Sequence, residues 1–510
     1  MTRFVIVGTG PAGISAARPL LEAGHEVVLL DAGTGRLAPP PADRPALPDQ
    51  RRLGRSHLLG PDLGGLRDMA AYSPKLRTCA SPDFVDGYAP GNRLEPHGFA
   101  LVGTMAAGGL SNLWGAVCSA FDDDDLGGAL PAAALDESYR RVAQRLGLSG
   151  TDGDDMASFH GRGLPLQPAL PLTPMAQGLL DRYRQQGGAG DFSLGRSRLA
   201  VRSEGAHACV LDQLCLWGCG VGAIYNSADE LDQLRAFPHL TVEPSVTVTR
   251  VGPGWAEAVR DGEILSFRGD RVLLAAGPPA SARLALAAMG WVDKRLPIRN
   301  APAFAFAMAL PARLGRGLPN RGFGLSQLSF RLDLGGPMRN HALGLLYDAA
   351  TLAAPDIAAH LPLTRRGAAD FLRALMPGLA LGLVYLPGEY SANSVTLRAD
   401  GILDIQGGHA PDFYPAMRRT LAGLGRNFRR LGAWILPGSA SAYLPGAEVH
   451  YGAVLPVGQV VSALGELPGV PGVHVIDGAV LPRVPAKHHT FAVMANADRI
   501  ACKLAGEASS

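Results

Sequence analysis

Apolar positions along this chain recur in three distinct rhythms. Phe4-Val5-Ile6-Val7 is a short unbroken run, the pattern of a strand buried on both faces of a parallel sheet. Residues 14–22 then carry helical spacing, and Glu26-Val27-Val28-Leu29-Leu30 forms a second strand that ends at Asp31. Between the first strand and the helix stands Gly8-Thr9-Gly10-Pro11-Ala12-Gly13. Strand, glycine turn, helix and strand predict a βαβ unit of about thirty residues. Period-two alternation takes over further on, in residues 323–332 and 394–405, and predicts antiparallel strands. Asp400-Gly401 supplies a turn inside the second of these segments.

The first glycine turn has a chemical meaning. Gly8 makes the tight turn, Gly10 lets backbone approach a pyrophosphate, and Gly13 lets the helix close on the strand. The helix start adds N–H donors and the positive end of its dipole. Asp31 comes about twenty residues later, where a carboxylate can bind a ribose hydroxyl. A carboxylate there argues against a 2′-phosphate and leaves NAD and FAD both open.

Three further segments follow. Residues 103–115 are a second glycine-rich stretch, with Gly108, Gly109, Ser111, Asn112 and Trp114. Residues 271–277 read as a strand closing on Gly277, followed by Pro278 and a helical segment to Met289. The C-terminal region holds Val449-His450-Tyr451-Gly452, a short strand over 473–477 with Gly478, then Lys487-His488-His489-Thr490 and a helix over 491–504.

Composition narrows the class. The chain has 510 residues, a prior of about three domains. Hydrophobic residues make up 47% and charged ones 18%, which excludes a disordered protein. The net charge of +2 excludes a nucleic-acid binder that works by neutralising phosphates. The 65 glycines and 40 prolines exceed the average usage of roughly 12% and call for places where backbone, not side chain, meets a ligand. Six cysteines are too few for a disulfide scaffold, and the start of the chain leaves no room for a secretory signal, so a cytoplasmic protein is expected. No apolar run reaches the ~18 residues of a membrane span; the nearest, 375–385, is broken by Pro377, Gly378 and Gly382.

The distal motifs resemble the glucose–methanol–choline (GMC) family of FAD-dependent oxidoreductases, and within it the pyranose-oxidase-like branch. The similarity covers residues 1–34, about 100–120, 205–290 and 435–508. It implies an α/β fold: a Rossmann-type FAD-binding domain with an interleaved α+β substrate domain built on an antiparallel sheet. The FAD-binding part is expected at 1–130, with a Pro-rich covering excursion over 35–98, and again at 201–300 and 441–510. The substrate domain is expected at 131–200 and 301–440. By the same resemblance FAD meets Gly8, Gly10, Pro11, Ala12, Gly13, Asp31, Ala32, Gly108, Gly109, Ser111, Asn112, Trp114, Val246, Ala276, Gly277, Asp477, Gly478, His489 and Thr490. The branch joins its FAD covalently to a His before the Trp; Leu113 stands there, so non-covalent FAD is expected.

The family places a His and a second His or Asn before the flavin. Here that implies His450 as base, His488 as second hydrogen-bond partner and His489 as the alternate. An unperturbed imidazole pKa near 6.5 suits the base that takes an alcohol proton. The expected reaction is oxidation of a secondary alcohol of a sugar, glycoside or glycosyl carrier, with O2 or another electron acceptor. A non-redox lyase or isomerase on the same fold, and oxidation of a non-sugar alcohol, are the alternatives. A thiol-linked flavoprotein reductase ranks last, since the first cysteine is Cys79.

Weaker features read as structure. Cys209, Cys215 and Cys219 lack a Cys-x2-Cys spacing, so no metal is expected. Residues 122–125 are four aspartates, expected as a solvated cap. Arg418, Arg419, Arg426, Arg429 and Arg430 read as a solvated basic helix face, with phosphate recognition as the sharper possibility. Trp217, Tyr414, Trp434 and Tyr443 are candidates for stacking on a sugar.

Overall fold

Arg3–Val7 buries Phe4 to Val7 on both sides, as a central parallel strand must. Five strands pair in parallel in the order Val473–Val475, Arg271–Leu274, Arg3–Val7, Glu26–Leu30 and Leu240–Glu243. The computed structural model describes residues 1–33, 35, 37–49, 83–188, 190–335, 341–351, 364, 367, 371 and 374–509. Of the expected Pro-rich excursion, residues 34, 36 and 50–82 therefore lie outside the described residues. The helix Pro11–Glu22 carries Pro11 at its first turn and buries Ile14, Ala16, Ala17, Leu20 and Leu21. The C-terminal helix Thr490–Ser509 lies against it and shares that apolar core through Phe491, Met494, Ala497, Ile500 and Ala501. This contact fixes where the C-terminal helix begins, and so where His488 and His489 sit.

The second large sheet is antiparallel. Its order is Trp434–Ile435, Ala303–Ala309, Leu379–Tyr385, His341–Asp348, Leu328–Asp333 and Phe192–Arg196, with Ser441–Ala442 also on Ala303–Ala309. The expected strand over 323–332 is shorter and later, Leu328–Asp333. Alternation assigns its two faces. Phe304, Phe306, Met308, Phe330, Ala380 and Val384 point to one side, under the helices Pro174–Gln186 and Phe413–Arg430. Phe413 and Phe428 of the second helix close that core, while its five arginines are exposed. The intervening residues, such as Ala305, Ala307, Leu381 and Leu383, point to the other side.

The segment 394–405 departs from expectation. Ser394–Leu397 and Leu403–Gln406 form the expected hairpin, but they do not join the large antiparallel sheet. They pair with Arg295–Pro297 and Leu94–His97 in a four-stranded sheet of their own. Val395, Leu397, Leu403 and Ile405 bury into the core beneath Leu284 and Leu286 of the helix Pro278–Ala288. The alternating pattern predicted strands; which sheet they join is set by the core they cover. The segment 375–385 ends in the strand Leu379–Tyr385, and no helix among the described residues is long and apolar enough to cross a membrane.

Two glycines in the antiparallel sheet are forced by close approach. Gly344 lies opposite Phe330, and a Cβ on it would sit 1.8 Å from the ring. Gly382 lies opposite Phe306, and a Cβ would sit 2.2 Å from that ring. The rings cover the glycines and fill the core from the neighbouring strand. Gly344→Val is expected to destabilise by about 1–3 kcal/mol through overpacking. The helical, sterically open Gly425→Ala is expected to stabilise by about 0.5–1 kcal/mol. Urea-unfolding midpoints of the two variants check the pair; equal shifts would remove the steric argument.

Candidate active site

The C-terminal ends of the parallel strands open on a cavity of about 1620 Å³. A single small-ligand pocket measures ~300–1,000 Å³, so this one can hold more than one ligand. Residues of the first glycine turn and of the chain after Leu30, Leu274 and Val475 line one end. The free face of the antiparallel sheet lines the other.

The end at the first glycine turn is built from backbone. Gly8 has φ +104°, and a Cβ there would meet the Ala275 carbonyl oxygen at 2.5 Å. A Cβ on Gly13 would meet the Gly8 carbonyl oxygen at 2.0 Å. Gly10 starts the helix with no side-chain cap, so its first N–H groups stay free for a ligand. A Cβ on Gly109 would stand 3.1 Å from the Gly10 Cα, which brings the two glycine-rich stretches together across the cavity. No arginine or lysine lines the cavity among the described residues. A pyrophosphate here would be held by main-chain donors and the helix end.

Asp31 occupies the expected position at the cavity and also braces the backbone around it. Its Oδ2 accepts from the Thr9 N–H (3.2 Å) and the Thr9 hydroxyl, and its Oδ1 accepts from the Gly33 N–H (2.8 Å). Burial raises its pKa, against these hydrogen bonds. The Thr9 hydroxyl oxygen in turn accepts from the Gly108 N–H (3.0 Å). The carboxylate thus braces both glycine segments from below. Nothing in the glycine spacing distinguishes this role from ribose binding.

Most of the expected cofactor residues do reach the cavity: Gly8, Gly10, Pro11, Ala12, Asp31, Ala32, Gly109, Ser111, Trp114, Val246, Ala276, Gly277, Asp477, Gly478, His489 and Thr490. Gly13, Gly108 and Asn112 do not line it. Asn112 Nδ2 donates to the Ala107 and Gly109 carbonyls (2.9 and 2.8 Å), and its Oδ1 accepts from Asn226 Nδ2 (2.8 Å). Ser111 Oγ donates to the Gly108 carbonyl (2.6 Å) and accepts from the Ser227 N–H (2.9 Å). Asn226 and Ser227, at the start of the helix Ser227–Leu234, therefore hold the second glycine stretch. Asp477 accepts from the Gly277 N–H (3.0 Å), the Ser281 hydroxyl (2.5 Å) and the Ala479 N–H (2.9 Å). Burial pushes its carboxyl up to about 6, with the Ser281 bond opposing.

His450, His488 and His489 meet in the cavity wall. The His450 and His488 rings stack with centroids 4.3 Å apart and planes 13° apart. His489 meets His450 edge-on at 5.5 Å. Tyr385 stands edge-on to His450 (5.2 Å) and His488 (4.6 Å). Nδ1 of His450, Nε2 of His488 and Nδ1 of His489 are buried without a hydrogen-bond partner among the described residues. Burial holds all three imidazoles well below their ordinary pKa; for His450 the neighbouring His488 and His489 lower it further, and for His488 so does His489. The three are therefore neutral near pH 7. Two adjoin the N-terminus of Thr490–Ser509, whose dipole also disfavours a positive charge.

Two partners of this cluster carry no obvious sequence signal. Glu448 is buried, its Oε1 accepting from Asn300 Nδ2 (2.6 Å), whose Oδ1 accepts from Asn393 Nδ2 (2.6 Å). Its Oε2 has no partner among the described residues. Burial pushes the carboxyl up to about 8, opposed by the Asn300 bond, so it is mainly protonated near pH 7. Lys487 is the second: its ammonium bonds Asp125 (2.6 Å), Asp122 (3.0 Å) and the Ala120 carbonyl (3.3 Å), and lies 4.8 Å from the Phe159 ring centre. The aspartate run is thus not simply a solvated cap. Asp122 and Asp125 form a capping box on Asp123–Leu126, and Asp125 reaches inward to Lys487. The run alone could not reveal a partner more than three hundred residues away.

Most of the remaining candidates fall outside the cavity. Among the stacking aromatics only Tyr443 lines it; Tyr414 and Trp434 are exposed, and Trp217 packs on Leu47 and Leu214. Cys215 Sγ accepts from the Gly324 N–H (3.3 Å) and Cys219 Sγ from the Ala223 N–H (3.1 Å). Burial pushes the Cys209 and Cys215 thiols up to about 11 and about 12.

The chain matches no protein-family model, and no curated protein matches it by sequence. Its structure is similar to a solved structure of pyridoxine 4-oxidase from Mesorbium loti, with a TM-score of 0.60, 17% identity and 99% of each chain covered. At that identity the likeness establishes a shared fold over the whole chain, a mixed α/β architecture with parallel and antiparallel sheets.

Proposed function

We propose that the chain is an FAD-dependent oxidoreductase of the GMC family that oxidises an alcohol, with His450 as base and His488 as second hydrogen-bond partner. One observation carries the reading. The stacked histidines and the backbone cradle of the first glycine turn share one cavity, although they come from opposite ends of the chain. The solved structure of the same fold is a pyridoxine 4-oxidase, which supports alcohol oxidation. The cradle fits an FAD pyrophosphate: glycine backbone at close approach, an uncapped helix start and the Gly10–Gly109 contact. FAD when bound supplies the hydride acceptor. Leu113 stands where the pyranose-oxidase branch has its flavin-linked His, which supports non-covalent binding.

The chain's own residues handle the proton. His450 Nδ1 is buried, which leaves Nε2 to take the hydroxyl proton. A neutral imidazole is the form a base requires, and burial supplies that form without an acidic partner. His489 neighbours both, and the Lys487–Asp125 pair anchors the segment that carries His488 and His489. Dioxygen or another electron acceptor is the second partner. A sugar, glycoside or glycosyl-carrier substrate rests on the branch resemblance alone, and the cofactor-residue and domain assignments above are part of the same proposal. So is a cytoplasmic location.

His450→Ala is expected to keep FAD bound and to slow flavin reduction by substrate about a hundredfold or more. Anaerobic stopped-flow bleaching of the flavin measures it; a wild-type rate would remove His450 from the mechanism, and turnover without bleaching would make the protein a lyase or isomerase.

The pH dependence has a definite sign. The folded-state histidine pKa values lie below the ordinary ~6.5, so the neutral base persists until the pH falls well under that value. Flavin reduction is expected to be flat in this limb above about pH 6 and to fall only below it. An acid limb centred at or above about 6.5 would contradict the burial argument.

Lys487→Met leaves Asp125 buried without its cation and is expected to cost about 3 kcal/mol of stability. Flavin reduction should slow while FAD stays bound, and Lys487→Arg should restore part of both. Urea denaturation with stopped-flow reduction on the three proteins gives the comparison; unchanged reduction in Lys487→Met would separate the pair from the histidines.

A further inference from the structure

We infer that Glu448 is a positioning residue for His450: its side chain and the strand Arg299–Asn300 clamp Val449 in a left-handed conformation that presents the His450 ring to the cavity. The inference rests on the assignment of His450 as base proposed above. It starts from the backbone. Val449 has φ +64°. That region suits glycine, and a β-branched residue there is a marked exception. The Val449 N–H closes a turn on the Gly446 carbonyl (2.9 Å), and Val449 then leads the chain through His450 into the strand Tyr451–Gly452. Strain of this kind persists only where the surroundings over-determine it, and it gathers at functional sites.

Both neighbours of Val449 are tied to consecutive residues, Asn300 and Ala301. After it, the His450 carbonyl accepts from the Ala301 N–H (3.0 Å). Tyr451 and Gly452 then pair with Asn300 and Arg299, and the Tyr451 hydroxyl donates to the Val102 carbonyl. Before it, Glu448 Oε1 accepts from Asn300 Nδ2 (2.6 Å). The direction of that bond is set from outside. A main-chain N–H can only donate, so the Gly408 N–H (2.9 Å) marks the Asn393 oxygen. Asn393 Nδ2 then faces Asn300 Oδ1 (2.6 Å), which turns the Asn300 amide N–H towards Glu448. Asn300, Asn393 and Glu448 are all buried, so a member removed from this chain leaves its neighbour unpaired.

Without Glu448, Val449 is held only from the strand side and relaxes towards extended backbone. The peptide before His450 turns with it. The ring then loses its stack on His488 (4.3 Å) and its edge contact with Tyr385 (5.2 Å), the two contacts that set its place in the cavity wall. Burial keeps the Glu448 carboxyl largely neutral near pH 7, so towards Asn300 it serves as an acceptor without need of a charge. Glutamine offers the same acceptor in the same place.

The test combines anaerobic flavin bleaching with urea unfolding, both on the FAD-loaded protein. The reductant is whichever of benzyl alcohol, cyclohexanol and methyl glucoside bleaches the wild type fastest. Glu448→Met is expected to lower the limiting rate per bound FAD about tenfold to a hundredfold, with the half-saturating concentration little changed. Glu448→Gln should stay near the wild-type rate. Val449→Gly, at ease at this φ without a clamp, should restore part of the rate in the Glu448→Met background. A wild-type rate in Glu448→Met, or a Gln variant as slow as the Met variant, would overturn the inference and leave the base reading standing. The urea arm does not depend on the reaction. Val449→Gly should shift the unfolding midpoint more favourably in the wild type than in Glu448→Met, because only the clamped loop holds the strain. Equal shifts would overturn the clamp even with His450 as base. A wild-type rate in His450→Ala would remove the base reading, and if no alcohol bleaches the flavin the rates are silent. In either case the urea comparison decides alone, unequal shifts supporting the clamp and equal shifts overturning it.

Discussion

The contact on which the site depends is the one between Thr9, Asp31 and Gly108. The Asp31 carboxylate accepts from the Thr9 main chain and hydroxyl, and the same hydroxyl oxygen accepts from the Gly108 N–H. One threonine thereby joins the first glycine turn, the end of the second strand and the second glycine stretch. Asn226 and Ser227 hold the second glycine stretch from its own side, and the threonine ties it to the first. The Gly10–Gly109 approach is the result, at an end of the cavity that no arginine or lysine lines among the described residues. Burial makes the carboxylate harder to ionise, and its three donors oppose that effect without cancelling it.

The histidines follow a related economy. His450, His488 and His489 are gathered by a loop and by the start of a helix whose position is set by the Pro11–Glu22 contact. Stacking and burial keep them neutral; a carboxylate partner would have raised their pKa and charged them. The one nearby carboxyl, Glu448, is itself raised to about 8. An uncharged cluster in a dry wall can accept a proton from an alcohol without a standing charge that competes for the same space.

Much of the glycine-turn end of the cavity was legible in the sequence because backbone geometry restricts residue type. Gly8 and Gly13 admit no side chain, and that requirement is written as a spacing. The histidines were legible only through resemblance, since no spacing rule brings residue 450 to residue 488. Asp31 was located, but its bonds to Thr9 and Gly33 were not, since a carboxylate at the end of a strand can serve a ribose, a neighbouring turn or both. Lys487 and Asp125 were invisible because an ion pair across the chain leaves no local pattern. Strands over 394–405 were readable from alternation, but their sheet was not, because pairing depends on which core they cover.

The antiparallel sheet obeys a looser constraint on its cavity face than on its covered face. The antiparallel sheet must satisfy its covered face, where Gly344 and Gly382 admit the Phe330 and Phe306 rings. Its other face must only be non-clashing and uncharged, a condition met by many combinations of Ala, Leu and Tyr. A change at Ala305, Ala307, Leu381 or Leu383 alters the cavity without touching the core on the opposite side, because alternation separates the two. The two ends of the cavity are thus built by different physical devices, one by main chain at fixed spacing and one by side chains on a rigid sheet. The likeness to another protein of the same fold at 17% identity is compatible with that division. A sheet anchored from behind can change what it holds in front while the fold that presents it stays the same.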